Sequence, residues 1–208
     1  MPTTISVGPL TRIEGHLDIE TSVGDNGSVL SAHSSGTMFR GFELLLQGRD
    51  PRDAPHYTQR ICGVCPISHG MAACKNLESA FGIAVSDNGR ILRNLVLASN
   101  FIQSHVLHFY HLAALDYVDT TGVLDKAPWT PRFVTADMIR DEATVKALVS
   151  HYVEAIRIRR EAHRMGAIFG GKLPCSPSFV PGGCSSDVTA EKIGLFRRIL
   201  ADIRRFIE

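Results

Sequence analysis

The chain has 208 residues, of which 44% are hydrophobic and 21% are charged, as is usual for a globular protein that buries a core. Its net charge is +1 and no basic run occurs, so neither a nucleic acid nor an anionic membrane surface is expected as a partner. The sequence also contains no stretch of about 18 apolar residues, so no direct membrane span is predicted.

The N-terminal part is predicted to be an antiparallel β layer. Alternating apolar residues mark strands around Ile5 and over 17–23, and the turn sequence Gly-Asp-Asn-Gly at 24–27 predicts a hairpin into a third strand that opens at Val29. A short helix is predicted over 38–48, where glycine and proline follow. The first residues lack the charged-then-apolar profile of a secretory signal.

From Pro66 onward the pattern becomes helical. Apolar residues recur with a period near 3.6, which is typical of amphipathic helices. The predicted helices cover 66–80, 89–119, 138–169 and 189–208, with loops over 120–137 and 172–186. We therefore predict an α+β fold that is predominantly α, with a β-rich region over 1–60 and a bundle of long helices over 61–208.

The segment 60–70 (RICGVCPISHG) carries the strongest chemical signal in the chain. Cys62 and Cys65 are three positions apart at the predicted start of a helix, so both sulfurs can reach one metal. Gly63 would permit a tight backbone turn, and Pro66 suits the first turn of a helix because its missing amide is no loss there. The segment therefore predicts metal binding through sulfur.

The electrostatics of this segment favour thiolate over thiol, because helix N-terminal amides and the neighbouring Arg60 both stabilise negative charge. Four interpretations of the cysteine pair are open from spacing alone. A thioredoxin-like dithiol would need a βαβ setting. A structural zinc site would add Cys74 or His69, although zinc usually takes four ligands in two pairs. The other two are half of a redox-metal site completed from outside the chain, and inert thiols.

Two carboxylates and a histidine run are further candidates. Glu14 lies in a predicted turn between two strands and Glu43 on the predicted short helix, and carboxylates in such places usually face solvent. His105, His108 and His111 have the i, i+3 spacing that can bind a metal on a helix, but hydrogen-bonded histidines are commoner there.

Taken together, these segments resemble the large subunit of nickel–iron hydrogenases. The first cysteine motif of that family, R-x-C-G-x-C-x-x-x-H, is complete from Arg60 to His69. Further matching segments follow the order of the family: RIEGH at 12–16, FRGFE at 39–43, GRDPRD at 48–53, HFYH at 108–111 and FGGK at 169–172. The resemblance covers essentially the whole chain.

The resemblance implies a Ni–Fe centre held by four cysteine thiolates in two CxxC pairs, with CO and cyanide ligands on the iron. Cys62 would be a terminal nickel ligand, and Cys65 would bridge nickel and iron. His69 would donate a hydrogen bond near the bridging sulfur, and Arg60 is grouped with these catalytic residues. Glu14 would be the proton gate of the site.

The resemblance also implies a second metal and a partner. Glu43 would help to hold a buried Mg²⁺ ion. Since the chain has no four-cysteine iron–sulfur pattern, Fe–S clusters are expected in a partner small subunit. The reaction would be the reversible oxidation of H₂ to protons and electrons. Ser104 stands where many members carry an Asp, which puts the role of that carboxylate in doubt.

The second CxxC pair of the family is absent from this sequence. The chain is therefore expected to be the N-terminal part of a large subunit, either truncated or split, that lacks its C-terminal half and is inactive alone. The compartment is left open between the cytoplasm and the periplasm, or association with a membrane through the small subunit. The rivals are a metal-free relative, such as the quinone-site subunit of respiratory complex I, and a zinc-stapled interaction protein.

Overall fold

A computed structural model describes residues 2–127 and 129–208 of the chain. The chain divides into two compact units, Met1–Gln47 and Gly48–Glu208. The first is a small antiparallel sheet with one short helix, and the second is mostly helical. The predicted α+β class, predominantly α, is confirmed. The division at residues 60 and 61 stays a prediction, and the boundary between the compact units lies earlier, after Gln47.

The sheet of the first unit has three strands in the order β1-β2-β3. These are β1 (Thr3–Val7), β2 (Leu17–Val23) and β3 (Val29–Gly36), paired antiparallel throughout. The predicted turn at 24–27 joins β2 to β3, and Gly27 there has a φ of 79°, which favours glycine. Helix α1 (Phe42–Leu46) is shorter than predicted.

The second unit begins with a 3₁₀ turn at Pro51–Asp53, which leads into the short helix α2 (Ala54–Thr58). Its long helices are α3 (Pro66–Phe81), α4 (Asp87–Val106), α5 (Glu142–Gly170) and α6 (Ala190–Ile207). A small hairpin of β4 (Phe179–Val180) and β5 (Gly183–Cys184) precedes α6. None of the helices among the described residues has the length and apolar character that a membrane crossing requires.

Side-chain caps set the first residue of three of these helices. Ser86, Asp141 and Thr189 accept hydrogen bonds from backbone amides in the first turns of α4, α5 and α6, at 3.2, 2.9 and 3.2 Å. Each cap satisfies an amide that would otherwise have no partner in the helix, which stabilises a helix by about 1 kcal/mol. They explain why α4 begins before the predicted residue 89 and α5 after the predicted residue 138.

The predicted single helix over 89–119 is wrong beyond residue 106. The α-helical pattern ends at Val106, and a π-helical turn (Leu107–Ala113) and a 3₁₀ turn (Ala114–Asp116) follow it. Apolar periodicity does not detect such turns, because the side chains continue to alternate between packed and exposed positions. Within this segment the Tyr110 ring packs on Phe206 of α6, with 5.5 Å between centroids.

The core of the second unit lies between α3, α4, α5, α6 and the hairpin. Its largest buried apolar side chains come from each of these elements: Ile67, Val96, Ile158, Met165, Phe169, Phe179 and Ile203. Burying a side chain of this size stabilises the fold by roughly 1.5–3 kcal/mol. The core therefore provides a rigid base for the elements that carry the cysteine pair.

A buried ion pair and a glycine contact hold the β4–β5 hairpin against α3 and α4. Arg93 Nη2 lies 2.5 Å from Glu78 Oε1, and Arg93 Nε donates to the Gly183 carbonyl at 2.7 Å. The Gly182 amide donates to Glu78 Oε1 at 2.8 Å. A Cβ at Gly89 would lie 2.8 Å from the Gly183 Cα, so the backbones touch at this point.

Candidate metal site

The cysteine pair lies where the sequence predicts it, at the start of a helix. Cys65 is the N-cap residue of α3 and Pro66 is its first residue. Val64 N and Cys65 N both donate to Cys62 Sγ at 3.3 Å. Both backbone amides therefore point at this sulfur, and the preference for thiolate over thiol stays a prediction.

Three possible metal ligands converge at this turn. Cys62 Sγ, Cys65 Sγ and a ring nitrogen of His69 all lie within 4.8 Å of one another. Cys62 is 9% exposed, Cys65 and His69 are half-buried, and both cysteines are free thiols. Across residues 2–127 and 129–208, this is the one group of three or more His, Cys, Asp or Glu side chains with such spacing.

Burial lowers the pKa of the imidazole in this group. The pKa of His69 is lowered from its ordinary value of 6.5 because its surroundings desolvate the charged form. The neutral ring is therefore favoured at pH 7, and it can either ligate a metal or donate one hydrogen bond to a sulfur. The Thr58 hydroxyl donates to the His69 carbonyl at 3.4 Å, which ties this turn of α3 to α2.

Comparison with known proteins decides the family. The family model for nickel-dependent hydrogenases matches residues 40–138 and 125–208, and a HoxL-like model matches residues 4–37. The chain belongs to the nickel-dependent hydrogenase family. The resemblance read from the sequence motifs is confirmed.

Two curated relatives illustrate how much of a hydrogenase large subunit the chain covers. It is 46% identical over 211 residues to the periplasmic NiFeSe hydrogenase large subunit of Desulfomicrobium baculatum, covering 98% of this chain and 40% of that protein. It is 33% identical over 252 residues to the hydrogenase-1 large chain of Escherichia coli, covering 97% and 42%. The chain thus spans about two fifths of the length of these relatives.

Solved structures agree with the sequence relatives. The Ni-Fe-Se hydrogenase from Desulfovibrio vulgaris Hildenborough superposes with a TM-score of 0.83 at 46% identity, over 100% of this chain and 42% of that one. The NiFeSe hydrogenase of Desulfomicrobium baculatum gives a TM-score of 0.81 at 46% identity, over 100% and 43%.

In this hydrogenase-family chain, two expectations about the cysteine turn need correction. Gly63 does not have a left-handed φ, and a Cβ there would meet no described atom within 4 Å, so the turn itself does not require glycine. The thioredoxin interpretation fails, because among the described residues a 3₁₀ turn and α2 precede Cys62 instead of a strand. The exposed Arg60 donates from Nη1 to the His56 carbonyl, and its catalytic role stays a prediction.

Three residues that the sequence analysis missed hold this turn in place. Gln59, which is fully buried, donates to the Pro55 and Ser176 carbonyls at 2.8 and 3.0 Å and accepts from the Ser176 amide at 2.7 Å. Gln103 of α4 donates to the Val64 carbonyl of the turn, and Arg159 of α5 donates to Gln103 Oε1. Isolated amide and guanidinium side chains carry no local sequence signal, since only the tertiary fold gives them partners.

The other cysteines lie away from the pair. Cys74 is fully buried in the core, and its pKa is raised to about 11, chiefly by burial; it belongs to no ligand group among the described residues, so the zinc site that would use it is unsupported. Cys175 Sγ donates weakly to the Gln59 carbonyl at 3.8 Å. Cys184 is part of β5, where a loop was predicted.

The histidine run forms no ligand group within the part of the chain that the structure describes. His111 Nε2 lies 3.2 Å from the Tyr152 carbonyl, and its ring packs against the Tyr152 ring with 4.7 Å between centroids. His111 therefore acts as a packed, hydrogen-bonded residue between the π-helical turn and α5.

The two predicted carboxylates belong to the first unit. Glu14 is exposed in the connection between β1 and β2, and Glu43 is exposed in the first turn of α1. In the same connection Arg12 has a left-handed φ of 59°, which is uncommon for a residue with a side chain. The proton-gate role of Glu14 and the magnesium role of Glu43 stay predictions.

Proposed function

We propose that this chain is the N-terminal part of the large subunit of a nickel–iron hydrogenase, and that Cys62 and Cys65 supply two of the four thiolates of its Ni–Fe centre. The observation that carries the proposal is the convergence of two free thiols and an imidazole within 4.8 Å, in a chain of the nickel-dependent hydrogenase family. The reaction is H₂ ⇌ 2H⁺ + 2e⁻.

The donor set suits such a centre. Thiolate sulfur is a soft ligand that favours nickel and low-spin iron over the hard cations Mg²⁺ and Ca²⁺. Two metal–sulfur bonds of about 2.3 Å bring their sulfurs to within about 4.6 Å of each other. Since the ligand atoms already lie within 4.8 Å, the turn needs little movement to share one metal.

When bound, the Ni–Fe centre supplies the polarisation that splits H₂ into charged fragments. The protein's own part is to hold this centre and to move protons. Cys62 and Cys65 fix its position, with the amides of 64 and 65 directed at the Cys62 sulfur. A nickel-bound cysteine thiolate of the complete centre would take up the first proton, and the Glu14 carboxylate would be its next acceptor.

The remaining parts come from other polypeptide. The second pair of thiolates would come from polypeptide outside this chain, which spans 40% of the length of the Desulfomicrobium baculatum relative. The two electrons leave through Fe–S clusters of a small-subunit partner. The Glu43 carboxylate contributes to a Mg²⁺ site, for which a hard oxygen ligand is suitable.

Metal analysis of the full-length protein tests the proposal. The protein is purified from cells that contain the hydrogenase maturation machinery, and nickel, iron and zinc are measured. We expect nickel and iron together. Zinc alone would favour the zinc-stapled interaction protein, and no metal would favour a relative of the complex I subunit; either result contradicts the proposal.

A further inference from the structure

A buried amide side chain contacts the cysteine turn from α4. Gln103 is 1% exposed, and its Nε2 donates to the Val64 carbonyl at 2.9 Å. Its Oε1 accepts from Nε and Nη2 of Arg159 on α5, each at 3.3 Å. Because a guanidinium only donates and a carbonyl only accepts, these two partners fix which end of the amide faces the turn.

The contacted carbonyl belongs to the peptide group that also contacts the metal-binding sulfur. The Val64 carbonyl and the Cys65 amide are the two ends of one planar peptide. That amide donates to Cys62 Sγ at 3.3 Å. A continuous hydrogen-bond chain therefore runs from Arg159 through Gln103 and the 64–65 peptide to the Cys62 sulfur.

The two ends of this chain have opposite character. Arg159 is half-buried, and although burial lowers its pKa, an arginine side chain remains protonated at pH 7. At the other end is the Cys62 sulfur, which would be a metal-bound thiolate in the proposed function. Each hydrogen bond in such a chain polarises the next, and the effect is stronger where water is excluded.

We propose that Gln103 and Arg159 are positioning residues of the cysteine pair, which orient the 64–65 peptide toward the Cys62 sulfur and withdraw electron density from it. The inference deepens the proposed function and rests on it for the identity of the metal, whereas the hydrogen-bond chain can be tested without metal. A merely structural Gln103 would stabilise the fold without affecting the electronic properties of the sulfur.

Amide exchange tests the geometric part. The variants are Gln103→Glu, whose carboxylate has no hydrogen to donate to Val64, and Arg159→Met; the control is Arg160→Met, the next residue of α5, which is exposed and paired with Glu161. Hydrogen–deuterium exchange of the Cys65 amide is measured by mass spectrometry in the full-length, metal-free protein. Overlapping peptides that differ by residue 65 isolate the Cys65 signal, to which Pro66 adds nothing because it has no amide.

We expect exchange at Cys65 to become about tenfold faster in both variants and to stay at the wild-type rate in Arg160→Met. Unchanged exchange in either variant that keeps the wild-type helical content overturns the proposal. If Gln103→Glu does not fold, Arg159→Met provides the same test, because it leaves the Gln103 amide in place and removes only the charged donor.

The electronic part is tested in the metal-loaded enzyme by the midpoint potential of its nickel signal. Arg159→Met should shift the potential to lower values, since a positive charge linked to the sulfur is lost, and Arg159→Lys should restore part of the shift. If Arg159→Met has the same midpoint potential as the control variant Arg160→Met, the proposal is overturned. A wild-type enzyme without nickel would instead contradict the proposed function, while the exchange experiment on the metal-free protein would still decide whether the hydrogen-bond chain operates.

Discussion

The two units of this chain bury their residues very differently. In the first, none of the described residues 2–47 is buried, and apolar side chains such as Val29 and Phe39 are largely exposed. In the second, apolar side chains from four long helices form one continuous core. The sheet is held by strand pairing, whereas the helical unit is held by packing.

This difference separates two kinds of functional residue. Cys62, Cys65 and His69 lie on the helical unit, where the core and three buried or half-buried polar side chains fix their geometry. Glu14 and Glu43 lie on exposed elements of the sheet unit. We infer that the helical unit contains a preformed metal site, and that the sheet unit contributes side chains that act without holding the Ni–Fe centre.

The largest expected effect comes from the helical unit. In the full-length enzyme, Cys65→Ser should reduce the nickel content to background, because a hard oxygen ligand cannot replace a bridging thiolate. Cys175→Ser is the matched control and should keep its nickel, since Cys175 makes only a long contact with a backbone carbonyl. A normally loaded Cys65→Ser enzyme would remove Cys65 from the site.

A substitution in the sheet unit should impair proton transfer without reducing the metal content. Glu14→Gln in the full-length enzyme should retain nickel and iron but slow the exchange of deuterium between D₂ and water by about 100-fold, the usual contribution of a proton-transferring side chain. The isosteric amide cannot take up the proton. Exchange at the wild-type rate would exclude Glu14 from the proton path.

Core truncation compares the stabilities of the two units. Phe169→Ala should cost about 3–5 kcal/mol in the free energy of unfolding, because this side chain is 2% exposed in the helical core. Phe39→Ala, at a residue that is 74% exposed, should change it by less than about 0.5 kcal/mol. Urea unfolding followed by circular dichroism measures both. If both variants lost the same free energy of unfolding, the difference in burial between the two units would not explain their stability.

The smallest expected effect is a dependence of stability on pH that originates in the helical unit. Burial by itself would raise the pKa of Glu78, but hydrogen bonds from Arg93 and the Gly182 amide outweigh it and hold the pKa below the ordinary 4.5. Since the folded pKa is lowered, the stabilisation is present above about pH 4.5 and is lost as the pH falls through the folded value.

Glu78→Gln should remove this acid-sensitive contribution and leave Arg93 without its buried counter-charge. The free energy of unfolding of the variant should therefore be lower at neutral pH and should decrease less as the pH falls. Glu142→Gln, at an exposed ion pair with Lys146, should change the profile much less. Unfolding measured at several pH values tests this, and an unchanged slope in Glu78→Gln would assign the acid sensitivity to other groups.

The sequence predicts the elements well where the local pattern determines them. The three strands of the first unit, the turn at 24–27 and the helix after Cys65 follow from alternation, turn chemistry and a proline at the first helical position. The β4–β5 hairpin lies where the sequence predicts a loop. The proximity of Cys62 and Cys65 is also predicted by the sequence, because their spacing places them on one turn. The sequence does not predict the π-helical turn at 107–113. A change from i, i+4 to i, i+5 hydrogen bonds leaves the pattern of apolar residues almost unchanged.

The supports of the site are hidden for a different reason. Gln59, Gln103 and Arg159 are spread over one hundred residues of sequence. Their partners are Ser176, Val64 and Gln103, and these contacts form only when distant parts of the chain have packed together. The sequence motifs identify the family and predict its cysteine ligands. They do not show which polar side chains hold those ligands in place.

The contact between Gly89 and Gly183 has an asymmetric consequence. A methyl group added at 89 would overlap the hairpin backbone at 2.8 Å, whereas one added at 183 would rest at an ordinary 3.7 Å from the helix. A side chain can therefore be accommodated at position 183, whereas at position 89 it would clash with the hairpin backbone. We therefore expect an insertion between α5 and α6 to lie outside the β4–β5 hairpin. An insertion within the hairpin would displace α4, and with it the Gln103 side chain that contacts the cysteine turn.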